Sequence, residues 1–286
     1  PVFLPGFTLS PALVAASDHR IVLTGAEFVI IAAPSQHLRD VVRAGAEHVA
    51  KAAVIAVASK GIEQGSLALM SDVVAEELTG RPVVAISGPS FAAEVAARQP
   101  TAIVAASKDG AAARVAQDVL SNTTFRVYTH DDLGGVELAG ALKNVMAVAT
   151  GIVEGVGLGN NSRAALITRG LAEMTRLGVA LGARSSTFAG LAGVGDLVLT
   201  CTGALSRNRA VGVAVGGGKS LEEALAGKPT VAEGVFTTKS ALALAEREGV
   251  EMPIVRMVYR ILFDGHPAKQ AVPELMGRGL RAEQDE

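Results

Sequence analysis

The chain has 286 residues, of which 49% are hydrophobic and 19% charged, and its formal net charge is −2. That length exceeds the usual single core and makes two domains the default, and the composition is that of an ordinary soluble globular protein. The small charge leaves no electrostatic footprint for nucleic acid, and the one cysteine, Cys201, excludes an internal disulfide and suits a reducing cytoplasm.

The opening stretch P-V-F-L-P-G-F-T-L-S-P carries three prolines and no basic run, so it does not read as a signal peptide. The apolar stretches are interrupted before the roughly 18–20 residues that a membrane span needs. From Phe28 onward, short β-rich runs alternate with helical stretches. Strands are predicted at Phe28–Ala33, Ala53–Ala58, Val83–Ser87, Thr101–Ala106 and Phe125–Tyr128. Helices are predicted between them at Gln36–Ala50, Ser66–Leu78, Phe91–Arg98 and Ala111–Leu120. Continuous apolar strands separated by helices mean a parallel sheet covered on both faces.

Three of these strands end in unusual polar residues: Pro34-Ser35, Ser59-Lys60-Gly61 and Gly88-Pro89-Ser90. In open α/β sheets ligands bind beyond the carboxyl ends of the strands, and the helix opened by Gly88 and Pro89 would turn its first N–H groups toward that crevice as an anion site. The plain alternative is three ordinary βα turns, which favour glycine, proline and serine.

Beyond about residue 133 strand signals stop. Helices are predicted at Val136–Gly151, Ser162–Leu181, Ser206–Val215, Ser220–Ala226, Gly234–Glu248 and Pro253–Phe263, with a Gly216–Gly218 loop. This gives two domains, 1–133 and 134–286. Lys143 lies in V-E-L-A-G-A-L-K-N-V-M-A-V-A-T (136–150), with no acidic residue at i±3 or i±4. Buried there, its ammonium would need a partner distant in sequence, and desolvation would lower its pKa toward neutrality, where it can give and take a proton. The alternative is a lysine at the helix rim with its head in water. His130-Asp131-Asp132 reads as an N-cap before this helix. Arg169, Glu173 and Arg176, at spacings of four and three, read as an ion-paired surface or dimer face. The five histidines are scattered, so no metal is expected, and Cys201 reads as a buried, unreactive thiol.

With both halves in view the sequence resembles the NAD(P)-dependent glycerol-3-phosphate dehydrogenases of the bacterial type, from about Leu4 to Gly277. The resemblance rests on I-A-A-P-S-Q (31–36), S-K-G-I-E (59–63), S-G-P-S-F-A-A-E-V (87–95), G-V-E-L-A-G-A-L-K-N-V (135–145) and R-A-A-L-I-T-R-G-L-A-E-M (163–174). It continues in G-L-A-G-V-G-D-L-V-L-T-C-T (190–202), L-S-R-N-R (205–209) and V-A-E-G-V (231–235). It implies an α/β fold: a Rossmann-like parallel sheet, then an all-helical domain of the 6-phosphogluconate-dehydrogenase-like kind. It also implies reversible reduction of dihydroxyacetone phosphate to sn-glycerol 3-phosphate, with NAD or NADP as cofactor.

By the same resemblance Lys143 is the proton donor and acceptor for the C2 oxygen, and Asp196 is the carboxylate beside it. Read from the sequence alone, Asp196 is a helix N-cap after Gly195, and it could hold both roles. The resemblance further assigns Lys60, Gly88, Ser90, Ser206, Arg207 and Asn208, with Lys143 and Asp196, to substrate. It assigns Pro34, Lys60, Ala92, Arg207, Val231 and Glu233 to the cofactor, and adds Asn144 and Thr200 to the polar lining. Arginine at 207 suits phosphate because its planar fork binds two oxygens; the alternative is a solvated basic face shared with Arg209. A cytoplasmic enzyme of glycerophospholipid synthesis, as a homodimer, is the matching expectation for setting.

The chain departs from the pattern at its start. The family opens with a strand and a G-x-G-x-x-G phosphate loop that are not found here. The expectation is a sheet lacking its first βαβ unit, with Phe28–Ala33 as an exposed apolar edge. Other readings of the same residues are a β-hydroxyacid dehydrogenase of the same architecture, and an inactive scaffold or dimerisation module.

Overall fold

The β-rich runs form a five-stranded sheet in the order β1 (Phe28–Ile31), β2 (Val54–Val57), β3 (Val83–Ser87), β4 (Thr101–Ala106) and β5 (Phe125–His130). The computed structural model describes residues 4–227, 231–280 and 282–283; the first three residues of the proline-containing opening stretch lie outside them. β2 is buried at every position, as a strand covered on both faces must be. β1 lies at the sheet edge, and Ile30 on it is 53% exposed.

β1, β2 and β3 run parallel, and so do β4 and β5, but β3 and β4 are antiparallel. This corrects the expectation of a sheet parallel throughout. Among the helices that accompany the strands, α1 (His19–Leu23), α2 (Leu38–Gly45), α3 (Met70–Glu77), α4 (Ala92–Ala96) and α5 (Gly110–Leu120), only α4 joins β3 to β4. A parallel connection must carry the chain back along the whole strand. β3 has five residues and spans about 17 Å, whereas five-residue α4 rises about 7.5 Å. The chain cannot return, so β4 starts near the end of β3.

Backbone conformation also explains why α3 and α4 are shorter than predicted. Gly65 and Leu67 have φ of 88° and 60°, so the chain turns before Met70, and Arg98 at φ 58° stops the segment after α4.

After His130 every described element is helical: α6 (Leu133–Gly155), α7 (Asn160–Ala180), α8 (Ser185–Phe188), α9 (Asp196–Thr202), α10 (Arg207–Gly216), α11 (Leu221–Leu225), α12 (Glu233–Arg247), α13 (Pro253–Phe263) and α14 (Ala268–Met276). α6 is the axis of this half. Asp132 caps it, accepting from the Gly135 N–H at 2.9 Å, and every residue from Gly135 to Val153 is buried. It is long and apolar enough to cross a membrane, but 94% of its apolar window is buried inside the protein, as befits a core helix. α10 crosses it at backbone distance: a Cβ on Gly212 would lie 2.1 Å from the Val148 carbonyl oxygen, so only glycine fits.

Glu173 is not part of an ion-paired surface. It is 2% exposed and accepts from the Ile254 N–H at 2.8 Å and the Val255 N–H at 3.3 Å, at the start of α13. Its face of α7 is turned to the core, and its carboxylate answers N–H groups that a helix start leaves without partners.

Candidate active site

Lys143 projects from α6 into a buried polar cluster. Its Nζ donates to Asp196 Oδ1 at 2.6 Å and to Thr200 Oγ1 at 2.9 Å. Asp196 and Thr200 are four residues apart on α9, so they share one face of it. Thr200 donates its own proton to the Asp196 carbonyl at 2.6 Å, which leaves its hydroxyl lone pair for the lysine. Asp196 is the first residue of α9, is 1% exposed and does not cap the helix with its side chain; the carboxylate goes to Lys143 instead. Its second oxygen, Oδ2, is buried without a hydrogen-bond partner, 3.8 Å from Lys60 Nζ.

An ammonium has three donors. Two of those on Lys143 are taken, which leaves one for a ligand. Burial first and the nearby Lys60 charge second push the Lys143 pKa down to about 8, Asp196 opposing both without cancelling them. Lys60 stands just beyond β2 with its side chain 23% exposed. Two cations therefore flank one carboxylate, Lys143 bonded to Oδ1 and Lys60 nearest the Oδ2 that lacks a donor.

The other residues singled out from sequence fall into three groups. Asn144 and Asn208 are buried and bonded to each other: Asn208 Nδ2 donates to Asn144 Oδ1 at 2.9 Å, while Asn208 Oδ1 accepts from the Gly234 N–H at 2.9 Å. This amide chain ties α6, α10 and the start of α12 together. Ser206 is 2% exposed and caps α10, accepting from the Arg209 N–H at 3.3 Å. Arg207 is exposed at the next position and has no ion pair among the described residues. It does not share a basic face with Arg209, whose guanidinium binds Glu154 at 2.7 Å.

Gly88 follows β3 at φ 133°, and a Cβ there would come within 2.9 Å of the Ile103 Cα. Ser90 donates to the Gly88 carbonyl at 3.1 Å, so its hydroxyl is used within its own turn. Ala92 is exposed at the start of α4, a helix too short to present the anion site expected from Gly88 and Pro89. Pro34 is exposed beyond β1, and Val231 is half-buried ahead of α12. Glu233 accepts from both the N–H and the hydroxyl of Ser35.

Of the acidic pair before α6, Asp132 is the cap, whereas exposed Asp131 binds Arg184, which holds its carboxyl at about 2. Burial pushes the Cys201 thiol up to about 12, so it is inert. Among the described residues no group of histidine, cysteine and carboxylate side chains could hold a metal ion.

Two buried carboxylates were missed. Besides Glu173, Glu137 on α6 accepts from the Ser71 N–H at 2.8 Å and from its hydroxyl. The argument that singles out Lys143, a charge in an apolar helix with no local partner, applies equally to Glu137. The Ser35–Glu233 contact joins residues 198 positions apart and carried no signal in the sequence.

The family model for the NAD-dependent glycerol-3-phosphate dehydrogenase N-terminus matches residues 1–113, and that for its C-terminus matches residues 132–273. A glycerol-3-phosphate dehydrogenase [NAD(P)+] of Geobacter sp. (strain M21) is 52% identical over 285 residues, 99% of this chain and 85% of that protein. One from Caulobacter vibrioides is 50% identical over 282 residues, with the same shares covered. The crystal structure of the Coxiella burnetii glycerol-3-phosphate dehydrogenase superposes with a TM-score of 0.93 at 43% identity, covering 96% of this chain and 84% of that one.

Proposed function

This chain belongs to the NAD-dependent glycerol-3-phosphate dehydrogenase family, and we propose that Lys143, oriented by Asp196, is the acid and base through which it interconverts dihydroxyacetone phosphate and sn-glycerol 3-phosphate. The observation that carries the assignment is the buried Lys143–Asp196 pair with one ammonium donor unspent. NAD(P) fits the residues present. The unpartnered Asp196 Oδ2 and the free donors of Lys60 lie at the carboxyl ends of parallel strands, where the reactive end of a dinucleotide belongs. Pro34, Lys60, Ala92, Arg207, Val231 and Glu233 would hold it. When bound, NAD(P)H supplies the hydride that the substrate's C2 receives.

The chain's own residues do the rest. Hydride addition to a ketone leaves negative charge on oxygen. The unspent N–H of Lys143 points a donor at that oxygen, and its proton passes from Nζ to complete the alcohol. The two ammoniums stabilise the charge as it develops, buried Lys143 being the less screened by water and Lys60 standing at the partly exposed rim. In the oxidation direction neutral Lys143 takes the proton back. Asp196 fixes the direction of the ammonium and keeps it protonated near neutrality. Arg207 takes the substrate phosphate, its exposed guanidinium having no ion pair among the described residues, while buried Ser206 and Asn208 on either side of it fix the start of α10 that carries it. Gly88 and Ser90 would meet the substrate from the turn that follows β3. The labour divides mainly along the chain, 1–133 for the cofactor and 134–286 for the substrate, but Arg207, Val231 and Glu233 reach the cofactor from the second part, and Lys60, Gly88 and Ser90 reach the substrate from the first.

Lys143→Ala tests the reading. NADH or NADPH oxidation with dihydroxyacetone phosphate should fall by roughly 10²–10⁴, the worth of a positioned acid, and a rate equal to the parent would reject the assignment. Arg207→Lys should raise KM for dihydroxyacetone phosphate more than it lowers kcat, because phosphate binding is mostly uniform binding; a kcat drop at constant KM would contradict it. A β-hydroxyacid dehydrogenase would leave the free guanidinium at 207 without an anion, and a scaffold would leave the Lys143–Asp196 pair without a purpose. Service to glycerophospholipid synthesis in the cytoplasm, and assembly as a homodimer, belong to the same proposal. A single cysteine, Cys201, forms no internal disulfide, which suits that compartment, and sedimentation would measure the assembly.

A further inference from the structure

Ser35 is among the most tightly placed polar residues outside the catalytic cluster. It follows Pro34 at the end of β1 and is 1% exposed. Its N–H donates to Glu233 Oε1 at 3.0 Å and its hydroxyl to Glu233 Oε2 at 2.5 Å. Both oxygens of one carboxylate are thus held by one residue of the sheet half. The hydroxyl also accepts from Gln36 Nε2 at 3.2 Å. Gln36 is itself anchored, donating to the Ile62 carbonyl at 3.0 Å and accepting from the Gln64 N–H at 2.9 Å.

The seat is shaped for this contact. A Cβ on Gly61 would fall 2.5 Å from Ser35 Cβ and Oγ, so the residue after Lys60 must be glycine for Ser35 to be there. On the far side, the Gly234 N–H is held by Asn208. The Glu233-Gly234 step is therefore gripped from both halves of the molecule: by Ser35 on the sheet side, and by the Asn208–Asn144 chain that reaches α6 beside Lys143. Released from Ser35, the half-buried carboxylate at the start of α12 would turn to water, because burying a charge without its hydrogen-bond donors is costly.

We infer that Ser35 is a positioning residue for the cofactor: it fixes the Glu233 carboxylate, and with it the segment from Val231 to Glu233, at the edge of the crevice. The inference rests on the reading of Val231 and Glu233 as cofactor residues. It adds that their placement depends on a side chain that need not touch the cofactor itself.

A double-mutant cycle over Ser35→Ala and Glu233→Gln tests it, read by NADH fluorescence titration without substrate and by hydrogen exchange of the free protein. Ser35→Ala should weaken NADH binding roughly tenfold, the size of one charge-assisted hydrogen bond. The double variant should be no weaker than the weaker single variant, because both changes break one unit. Amides from Val231 to Phe236 should exchange faster while those of α13 do not change, and KM for NADH should rise while KM for dihydroxyacetone phosphate stays within about twofold. Additive losses would overturn the inference. So would faster exchange with an unchanged NADH dissociation constant, which would make the contact structural only. If Glu233→Gln leaves NADH binding intact, the reading of Glu233 fails; if Glu233→Gln weakens binding and Ser35→Ala does not, only the role of Ser35 fails.

Discussion

A lysine in an apolar helix is tolerable only when its charge is answered, and the answer to Lys143 is deliberately incomplete. Asp196 and Thr200 take two donors, and burial together with the Lys60 charge lowers the pKa to about 8. The group is thus charged at neutral pH yet only about one unit from losing its proton, the condition in which it serves both directions. The kcat/KM for ketone reduction, which needs the protonated amine, should be flat near neutrality and fall above about pH 8. The kcat/KM for alcohol oxidation, which needs the free amine, should rise to a plateau above the same point. Asp196→Asn removes the attraction that opposes burial and Lys60, so both limbs should move to lower pH; pH–rate profiles of parent and variant check this, and an unmoved limb would show that Lys143 does not titrate against Asp196. The lysine's need for a remote partner could be argued from its local sequence. That Thr200 shares the ammonium could not, because it depends on how α9 is rotated against α6.

Elements were legible where periodicity was strong and opaque where glycine interrupts it. α13 is the helix predicted, Pro253 at its first position fixing the start, whereas α9 hides behind Gly190, Gly193 and Gly195. A π turn over Leu191–Gly195, with Gly193 out of helical conformation, leads into it. The reading of Glu173 failed for a related reason: spacing shows which residues share a face but not whether that face meets water. Buried, Glu173 holds the first N–H groups of α13, and burial pushes its carboxyl up to about 7 despite those hydrogen bonds and the nearby arginines. The consequence has a definite sign. A carboxyl whose pKa is higher folded than unfolded binds its proton more tightly in the folded state, so its contribution is fullest below the unfolded value of about 4.3. That contribution is lost as pH rises toward 7 and is constant above. Glu173→Gln should therefore flatten the decline in thermal stability between about pH 5 and 7, while Glu173→Ala, which leaves both N–H groups without an acceptor, should cost about 1–3 kcal/mol across that range. Melting curves at several pH values would separate the two, and a parent slope that persists in Glu173→Gln would assign it elsewhere.

At the scale of the molecule, the two halves are joined through α6 rather than merely connected before it. Its later turns form the core of the helical half, where α10 meets it at backbone distance. Its early turns lie under the sheet half, where Glu137 holds the N–H and hydroxyl of Ser71 at the start of α3. A division at residue 133 follows from where strand signals stop, but it runs just ahead of the helix that both halves share. Sequence periodicity cannot show this, because α6 is apolar on every face and so gives no direction to either half. Glu137 is the handle on the seam. Burial pushes its carboxyl up to about 7 and Ser71 supplies both of its hydrogen bonds. Glu137→Ala would strand the buried Ser71 N–H and hydroxyl, at a cost of about 1–3 kcal/mol, and the loss should be local to the seam. Hydrogen exchange should show α3 losing protection while α10 and α13 keep theirs, and Glu137→Gln, which retains an acceptor for the Ser71 N–H, should lie between. Uniform loss of protection in both halves would instead mean that they unfold as a single unit and that α6, not the Glu137–Ser71 contact, sets their coupling.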